Sequence, residues 1–186
     1  MPSSLNETGV TFSDGTAQST AAVTSPPGSM LVLGTALAST SGTSIDFAGI
    51  PSWVKRVTVM LSGVSTNGTS PVRLQTGAGS VQTTGYLGYN LQYSNTTIAG
   101  ANISSGFDLS VATGESAAAT RHGSVVFTNI SSNTWTVVGC LGLSNNIFGS
   151  TVAGSIALSG TLDRVRVTTV GGTDTFDAGT INILYE

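Results

Sequence analysis

Charged residues are scarce in this sequence. They make up 8% of its 186 residues, as six lysines or arginines and nine aspartates or glutamates, whereas an ordinary soluble domain carries about 25%. A soluble helix needs charged residues along its outer face, so this composition excludes a protein built mainly of helices. The formal net charge of −3 also argues against nucleic acid as a partner, because a phosphate backbone requires a strongly basic surface.

Cysteine and histidine each occur once. Cys140 cannot form a disulfide within the chain, and its apolar neighbours predict a buried, unreactive thiol. His122 is expected in solvent. One histidine and no Gly-x-Ser-x-Gly sequence exclude a catalytic triad, and clustered His and Cys ligands are excluded by number. We expect no cofactor and no metal, although a Ca²⁺ or Mg²⁺ site built from oxygen ligands is left open.

Long apolar runs are also missing. No stretch approaches 18 consecutive apolar residues, and the N-terminus has no basic region followed by an apolar one. These two absences predict a chain made in the cytoplasm, with no secretory leader and no insertion into a membrane.

Small and hydroxylic residues dominate instead, with 24 Gly, 26 Ser and 28 Thr. Strand-like runs alternate with turn residues every 8 to 12 positions, a spacing typical of sandwiches and barrels. We predict an all-β fold, an antiparallel β-sandwich of jelly-roll-like type over residues 29–186. Turns of hairpin type are predicted at Asn67-Gly68 and Gly171-Gly172. The predicted strands are 29–37, 43–47, 54–62, 71–76, 86–92, 107–112, 118–129, 134–143, 154–158, 162–169 and 178–185.

Residues 1–28 differ from the rest of the chain. They contain few large apolar residues and end at Pro26-Pro27-Gly28, which interrupts regular structure. Residues 10–18 predict a small hairpin around Asp14-Gly15. A two-stranded ribbon is only marginally stable alone, so we expect Val10 and Phe12 to be buried when several copies pack together.

Two parts of the chain resemble bacteriophage proteins. Residues 9–21, GVTFSDGTAQSTA, resemble the TF-x-DGT-x-Q-x-TA element of tail-fibre and related virion proteins. Residues 44–56 and 162–185 resemble a β-sandwich module of phage and prophage fibre-type proteins. The resemblance implies a homotrimeric virion protein with a distal β-sandwich. It further implies that residues 1–28, a short β-rich segment with Val10, Phe12, Asp14 and Gly15, serve trimerisation and attachment to other virion proteins.

Three of the four tyrosines lie within eight positions. Sugars stack their apolar faces on aromatic rings and hydrogen-bond to amides, so this stretch predicts a carbohydrate site. Its candidate residues are Tyr86, Tyr89, Asn90, Gln92, Tyr93 and Asn95. On a strand, Tyr89 and Tyr93 share one face and Tyr86 lies on the other. Packing in a strand or at a subunit interface is the alternative for each tyrosine, and Trp53 and Trp135 are expected in the core.

Carboxylates offer little for catalysis. Hydrolysis of a polysaccharide requires two acids on facing walls of a cleft. Asp174 and Asp177 flank a turn and are expected to bind turn backbone or to pair with Arg164 or Arg166. The other acids considered are Asp46, Asp108, Glu115 and Asp163. We therefore expect no enzyme, with a polysaccharide depolymerase as a minor alternative.

These inferences combine into one expectation. The chain is predicted to be a structural phage virion protein, a tail-fibre or receptor-binding component that attaches to glycan on the bacterial surface. The alternative is a head fibre or capsid-decorating protein without receptor binding. In both cases the protein is made in the host cytoplasm and located on the virion, at the tail or at the capsid surface.

Overall fold

The fold is taken from a computed structural model, which describes residues 4–6, 9–14, 16–18, 31–111 and 116–186. The chain divides into two units, Met1–Met30 and Leu31–Glu186. None of the described residues forms a helix, so this part of the chain has no helix that could cross a membrane.

The N-terminal unit contains a small antiparallel sheet in the order β1-β2-β3. Its strands are β1 (Ser4–Asn6), β2 (Gly9–Thr11) and β3 (Ala17–Gln18). Strands β2 and β3 form the predicted hairpin, closed by a 2.8 Å bond from the Phe12 N–H to the Thr16 carbonyl. Asp14 is exposed and accepts the Thr16 hydroxyl at 2.7 Å and the Thr16 N–H at 3.0 Å. The hydroxyl bond, and to a smaller extent the N–H bond, lower the Asp14 pKa. Gly15 and the side chain of Val10 lie outside the described parts of the structure.

The second unit consists of strands joined by turns and loops. In chain order they are β4 (Val32–Leu33), β5 (Leu37–Ala38), β6 (Ser44–Ala48), β7 (Arg56–Thr66), β8 (Val72–Ala78), β9 (Ser80–Val81), β10 (Tyr86–Tyr93), β11 (Ile98–Ile103), β12 (Phe107–Asp108), β13 (Arg121–Ser131), β14 (Thr134–Leu143), β15 (Gly149–Ala157), β16 (Arg164–Thr169) and β17 (Phe176–Tyr185).

These strands form two antiparallel sheets. The large sheet has the order β11-β10-β15-β14-β13-β7-β17-β4, and β5 also pairs with β17. The small sheet has the order β12-β8-β16-β6, and β9 pairs with β8. Neither sheet closes into a barrel, because each ends in strands that pair on one side only.

The chain crosses repeatedly between the two sheets. Strands β6, β8, β12 and β16 lie in the small sheet, and the strands that alternate with them, β5, β7, β13 and β17, lie in the large one. Eight strands in two sheets with this alternation make a jelly roll. Strands β10, β11, β14 and β15 extend the large sheet beyond β13. The predicted antiparallel sandwich is confirmed.

The core lies between the sheets. Along β7, the buried residues are Val57, Val59 and Leu61. Arg56, which precedes them, and Thr58, which lies between the first two, are not buried, as the alternating sequence predicts. Buried aromatic rings link the layers: Phe107 packs edge-on against Tyr86 and Phe127, with ring centroids 4.9 and 5.8 Å apart.

The two tryptophans have different environments. Trp135 is buried at 3% exposure, as predicted. The prediction for Trp53 is wrong, because the residue is 42% exposed and its ring lies 5.9 Å from that of Tyr185. Trp53 lies outside any strand, in the connection between β6 and β7, so the sheet packing that buries Trp135 does not cover it.

Two turn predictions are also wrong. Asn67-Gly68 joins β7 to β8, and Gly171-Gly172 joins β16 to β17, but each pair of strands is divided between the two sheets. Both connections are crossovers, and Asn67 ties them together through bonds to the backbone of Thr175. A turn sequence shows that the chain reverses, but it does not show which sheet the next strand joins.

Candidate functional site

Strand β10 carries most of the predicted carbohydrate residues, and its pleat divides them. Tyr86, Asn90 and Gln92 point into the sandwich and are at most 4% exposed. Tyr89 and Tyr93 lie on the outer face, at 49% and 38% exposure. The predicted sharing of one face by Tyr89 and Tyr93 is confirmed.

The inward-pointing Tyr86 has a structural part. Its hydroxyl accepts the Thr76 N–H at 2.8 Å and donates to the Gln82 carbonyl at 2.8 Å. Burial raises the pKa of this phenol. Tyr86 therefore satisfies buried backbone groups of the small sheet from a strand of the large one.

Asn90 and Gln92 fasten β10 to the chain that follows β12. The Asn90 amide nitrogen donates to the carbonyls of Asp108 and Ser110, at 3.2 and 2.8 Å. The side-chain oxygen of Gln92 accepts the Val111 N–H at 3.2 Å. A sugar has no access to these two amides in the folded chain, so they cannot belong to a surface site.

Glycines make room for the two outer tyrosines. A Cβ atom at Gly149 on β15 would lie 2.8 Å from the ring of Tyr93, and one at Gly100 on β11 would collide with the ring of Tyr89. Each ring therefore occupies the space that a neighbouring glycine leaves free. The neighbouring Cys140 thiol raises the pKa of the Tyr93 phenol.

Two turns meet at the end of the large sheet near Tyr93. The pairing of Tyr93 with Gly149 places the turn 94–97 beside the turn 144–148, one strand spacing of about 4.8 Å away. In the first turn, the Ser94 hydroxyl accepts the Thr97 N–H at 3.0 Å, and Asn95 is exposed.

The second turn adds further groups to the same end. Asn146 accepts the Ile147 N–H through its side-chain oxygen at 2.8 Å, and Ile147 is 66% exposed. We call Tyr93, Asn95, Asn146 and Ile147 the paired-turn end. Sequence reasoning missed Asn146 and Ile147, although the Asn-Asn dipeptide between two strand-like runs was a usable turn signal.

No family model, curated protein or solved structure matches this chain. The surface chemistry of the chain itself must therefore indicate its function.

Most of the candidate acidic side chains are engaged in ion pairs or turns, and Asp177 is exposed on β17. Asp46 pairs with Arg166 at 2.7 Å across β6 and β16, and Asp163 pairs with Arg164 at 2.7 Å. The predicted pairing of these arginines with Asp174 or Asp177 is wrong, because the register of β16 sets Arg166 opposite Asp46. Asp174 instead accepts the Ser70 N–H at 2.8 Å, which is the turn contact expected for it.

Two further acids complete the set of candidates. Asp108 pairs with Arg73 through two hydrogen bonds across β12 and β8, and Glu115 lies outside the described ranges. The Arg164 guanidinium lowers the pKa of the Asp163 carboxyl. The charged form of Asp163 is therefore favoured beside Arg164, a state suited to structure rather than to general acid catalysis.

Cys140 and His122 both lie on the outer surface. The prediction of a buried thiol is wrong: Cys140 is exposed, because the pleat of β14 turns Val137 and Leu141 inward and Cys140 outward. His122 is exposed, as expected, and its ring nitrogens contact the Gly63 N–H at 3.2 Å and the Ser144 hydroxyl at 3.1 Å. The described residues contain no cluster of His, Cys, Asp and Glu able to hold a metal ion.

Proposed function

We propose that this chain is a structural, non-enzymatic bacteriophage virion protein, a tail-fibre or receptor-binding component that attaches the particle to glycan on the bacterial surface. The resemblance of residues 9–21 to a tail-fibre element supports the virion assignment. The observation that carries the receptor assignment is the paired-turn end, where the exposed ring of Tyr93 and the exposed amide of Asn95 lie at the same end of the large sheet.

The chemistry of the paired-turn end suits a sugar. Tyr93 is 38% exposed and its ring is supported by the glycine backbone of β15. A sugar ring can stack on the exposed part of such an aromatic ring. Asn95 offers both a donor and an acceptor to sugar hydroxyls, and Ile147 adds an apolar contact. The site lies at the end of a rigid sandwich, which holds its turns in place.

The ion pairs of the small sheet support the non-enzymatic assignment. A retaining or inverting glycosidase needs one carboxyl group that can hold a proton near neutral pH. Asp46, Asp108 and Asp163 each form an ion pair with an arginine, so their carboxylate oxygens are engaged in structural contacts. None of these acids lies at the paired-turn end.

The proposal includes assembly into a homotrimer, with the N-terminal segment attached to other virion proteins. Phe12 supports this part, since its side chain is 45% exposed beside a small three-stranded sheet. A large aromatic side chain in such a small sheet gains stability when other copies or partners cover it.

Binding to purified surface polysaccharide tests the receptor assignment. The wild-type chain should bind lipopolysaccharide or capsular polysaccharide of the host, and Tyr93→Ala should weaken binding by roughly three- to tenfold, the value of one aromatic stacking contact. Asn95→Ala should weaken it less. Trp53→Ala is the matched control, because Trp53 is an exposed ring outside the site.

Two outcomes would contradict the receptor assignment. One is a wild-type chain that binds no surface polysaccharide of the host. The other is a folded Tyr93→Ala variant that binds as tightly as the wild type. Either result would favour the capsid-decorating alternative, in which the sandwich contacts no receptor.

A further inference from the structure

Part of the outer face of the large sheet is uncharged and rich in exposed apolar side chains. The four adjacent strands β11, β10, β15 and β14 contain no Asp, Glu, Lys, Arg or His. Strand pairing places Tyr89, Ala153, Val138 and Val126 in one row across the sheet. We call the outer side chains around this row, on β10, β15, β14 and β13, the apolar face. They include Leu87, Tyr89, Leu91, Val126, Val138 and Cys140.

These side chains are exposed to an unusual degree for the middle of a sheet. Leu87 is 67% exposed, Val138 is 61% exposed, and Ile98 on the neighbouring β11 is 74% exposed. A groove of about 530 Å³ runs between Tyr89, Val126 and Val138. Contiguous exposed apolar surface of this kind marks a binding surface.

The opposite side of the sandwich has the reverse chemistry. The outer face of the small sheet carries the ion pairs Arg73–Asp108 and Arg166–Asp46, and Asp163–Arg164 lies at its border. Three of the chain's five arginines are used there. The small sheet is therefore built to face water, whereas the outer side chains of β11, β10, β15 and β14 in the large sheet include no charged group.

The size of the apolar face suits the core of a protein interface. The five neighbouring strands from β11 to β13 span about 24 Å at about 4.8 Å per strand, and residues 87–91 span about 17 Å along a strand. The flat area is on the order of 400 Å², and side-chain relief makes the accessible area larger. A standard interface buries roughly 800 Å² on each partner, with a polar rim around an apolar core.

We propose that another copy of this chain covers the apolar face in the assembled protein. Around the three-fold axis of the proposed trimer, the same face of every copy can turn toward the axis, where a face without charges meets no like charge. A strongly charged partner would find no opposite charge on β11, β10, β15 or β14. Interface cores are typically poor in Lys, Glu and Asp and rich in aromatic residues and Met. This inference rests on the assembly proposed above and specifies where the copies meet.

Cys140 provides a native probe of this contact. It is the single cysteine, it is exposed on the isolated chain, and it lines the groove. Thiol labelling requires access of the reagent to the sulfur. A second copy on the apolar face would therefore block labelling, whereas contact through the N-terminal unit alone would leave Cys140 reactive.

The experiment measures the rate of maleimide labelling of Cys140 in the full chain, together with the molar mass by light scattering. The wild type should be oligomeric and should label about tenfold or more slowly than the Val138→Asp variant, because a buried carboxylate opens the contact. Val170→Asp is the matched control. Val170 is also an exposed valine, at 41%, but it lies after β16 at the end of the small sheet, so its labelling should match that of the wild type.

The labelling rate of Cys140, and not the molar mass, decides the test. The N-terminal unit can keep the copies associated after the contact at the apolar face is lost. A monomeric wild type would overturn both the assembly and this inference. An oligomeric wild type whose Cys140 labels as fast as in Val138→Asp would overturn the inference alone. If circular dichroism shows Val138→Asp to be unfolded, Ser124→Glu replaces it, because Ser124 is an exposed polar residue on the same face and its substitution leaves no cavity.

Discussion

Three tyrosines on one strand have three different surroundings. Tyr86 is at 1% exposure and its hydroxyl joins the two sheets. Tyr89 lies in the apolar face over Gly100, and Tyr93 lies at the paired-turn end over Gly149. The pleat of β10 separates the first from the other two, and distance along the strand separates Tyr89 from Tyr93. Residue type alone therefore does not define the site.

Among the three tyrosines of β10, only Tyr86 should lower the free energy of unfolding when its hydroxyl is removed. In Tyr86→Phe the buried Thr76 N–H loses its 2.8 Å acceptor, and an unsatisfied buried donor costs about 1–3 kcal/mol. We expect that decrease in the free energy of unfolding, measured by urea denaturation. Tyr89→Phe is the control in the same strand and should change it by less than about 0.5 kcal/mol. Equal stability of the two variants would show that the Tyr86 hydroxyl does not join the sheets.

At the scale of elements, the pairing of β7 with β17 depends on two glycines. Gly63 and Gly179 have φ angles of +67° and +97°, which side chains rarely adopt. The register of β17 against β7 shifts around Ala178, as in a β-bulge. A Cβ atom at Gly179 would lie 2.5 Å from the carbonyl group of Gly63. The two backbones can approach this closely only without side chains.

Substitution of Gly179 should consequently destabilise the sandwich. Gly179→Ala combines the positive φ with a collision against backbone, and we expect a loss of about 1–3 kcal/mol in the free energy of unfolding. Gly142→Ala, in β14, is the matched control: a Cβ atom there meets nothing within 4 Å, and alanine should leave stability unchanged or raise it by up to about 1 kcal/mol. Guanidinium denaturation measures the free energy of unfolding of both variants. A Gly179→Ala protein as stable as Gly142→Ala would contradict the dependence of the β7–β17 pairing on this glycine.

The sequence predicts some elements well for a physical reason. The predicted strand 134–143 matches β14 in full, because Trp135, Val137 and Leu141 alternate as large inward residues and turn residues flank the strand. Strand β11 was missed: its sequence, IAGANI, has little apolar bulk, and it is held by pairing with β10. The long predicted strand 29–37 is interrupted, with β4 and β5 separated around Gly34. Strands such as β11 are held by pairing with other strands, which the local sequence pattern does not show.

The candidate site shows the same division between local and distant information. Alternation along β10 correctly separates Tyr86 from Tyr89 and Tyr93. The sequence could not show that the turn 144–148 lies beside the turn 94–97, since this depends on the pairing of β10 with β15. The exposure of Cys140 was also not predicted, because its neighbours Val137, Val138 and Leu141 are apolar and such a run predicts burial. In the proposed assembly, a second copy supplies that burial.

At the scale of the whole molecule, the two faces of the sandwich and its paired-turn end differ in surface chemistry. The small sheet presents ion pairs to solvent, and the large sheet presents an apolar face. The paired-turn end presents an aromatic ring and amides. These surfaces support an assembly that is covered along one sheet, soluble along the other, and able to contact a receptor at its end.

The position of the chain on phage particles is the decisive test of the receptor assignment. Antibodies against residues 31–186 of the folded chain, coupled to gold, would be applied to particles of the phage whose genome encodes it and viewed by electron microscopy. We predict gold at the distal ends of tail fibres, where the paired-turn end can reach the cell surface. Gold on the capsid alone, or particles that carry none of this chain, would contradict the assignment.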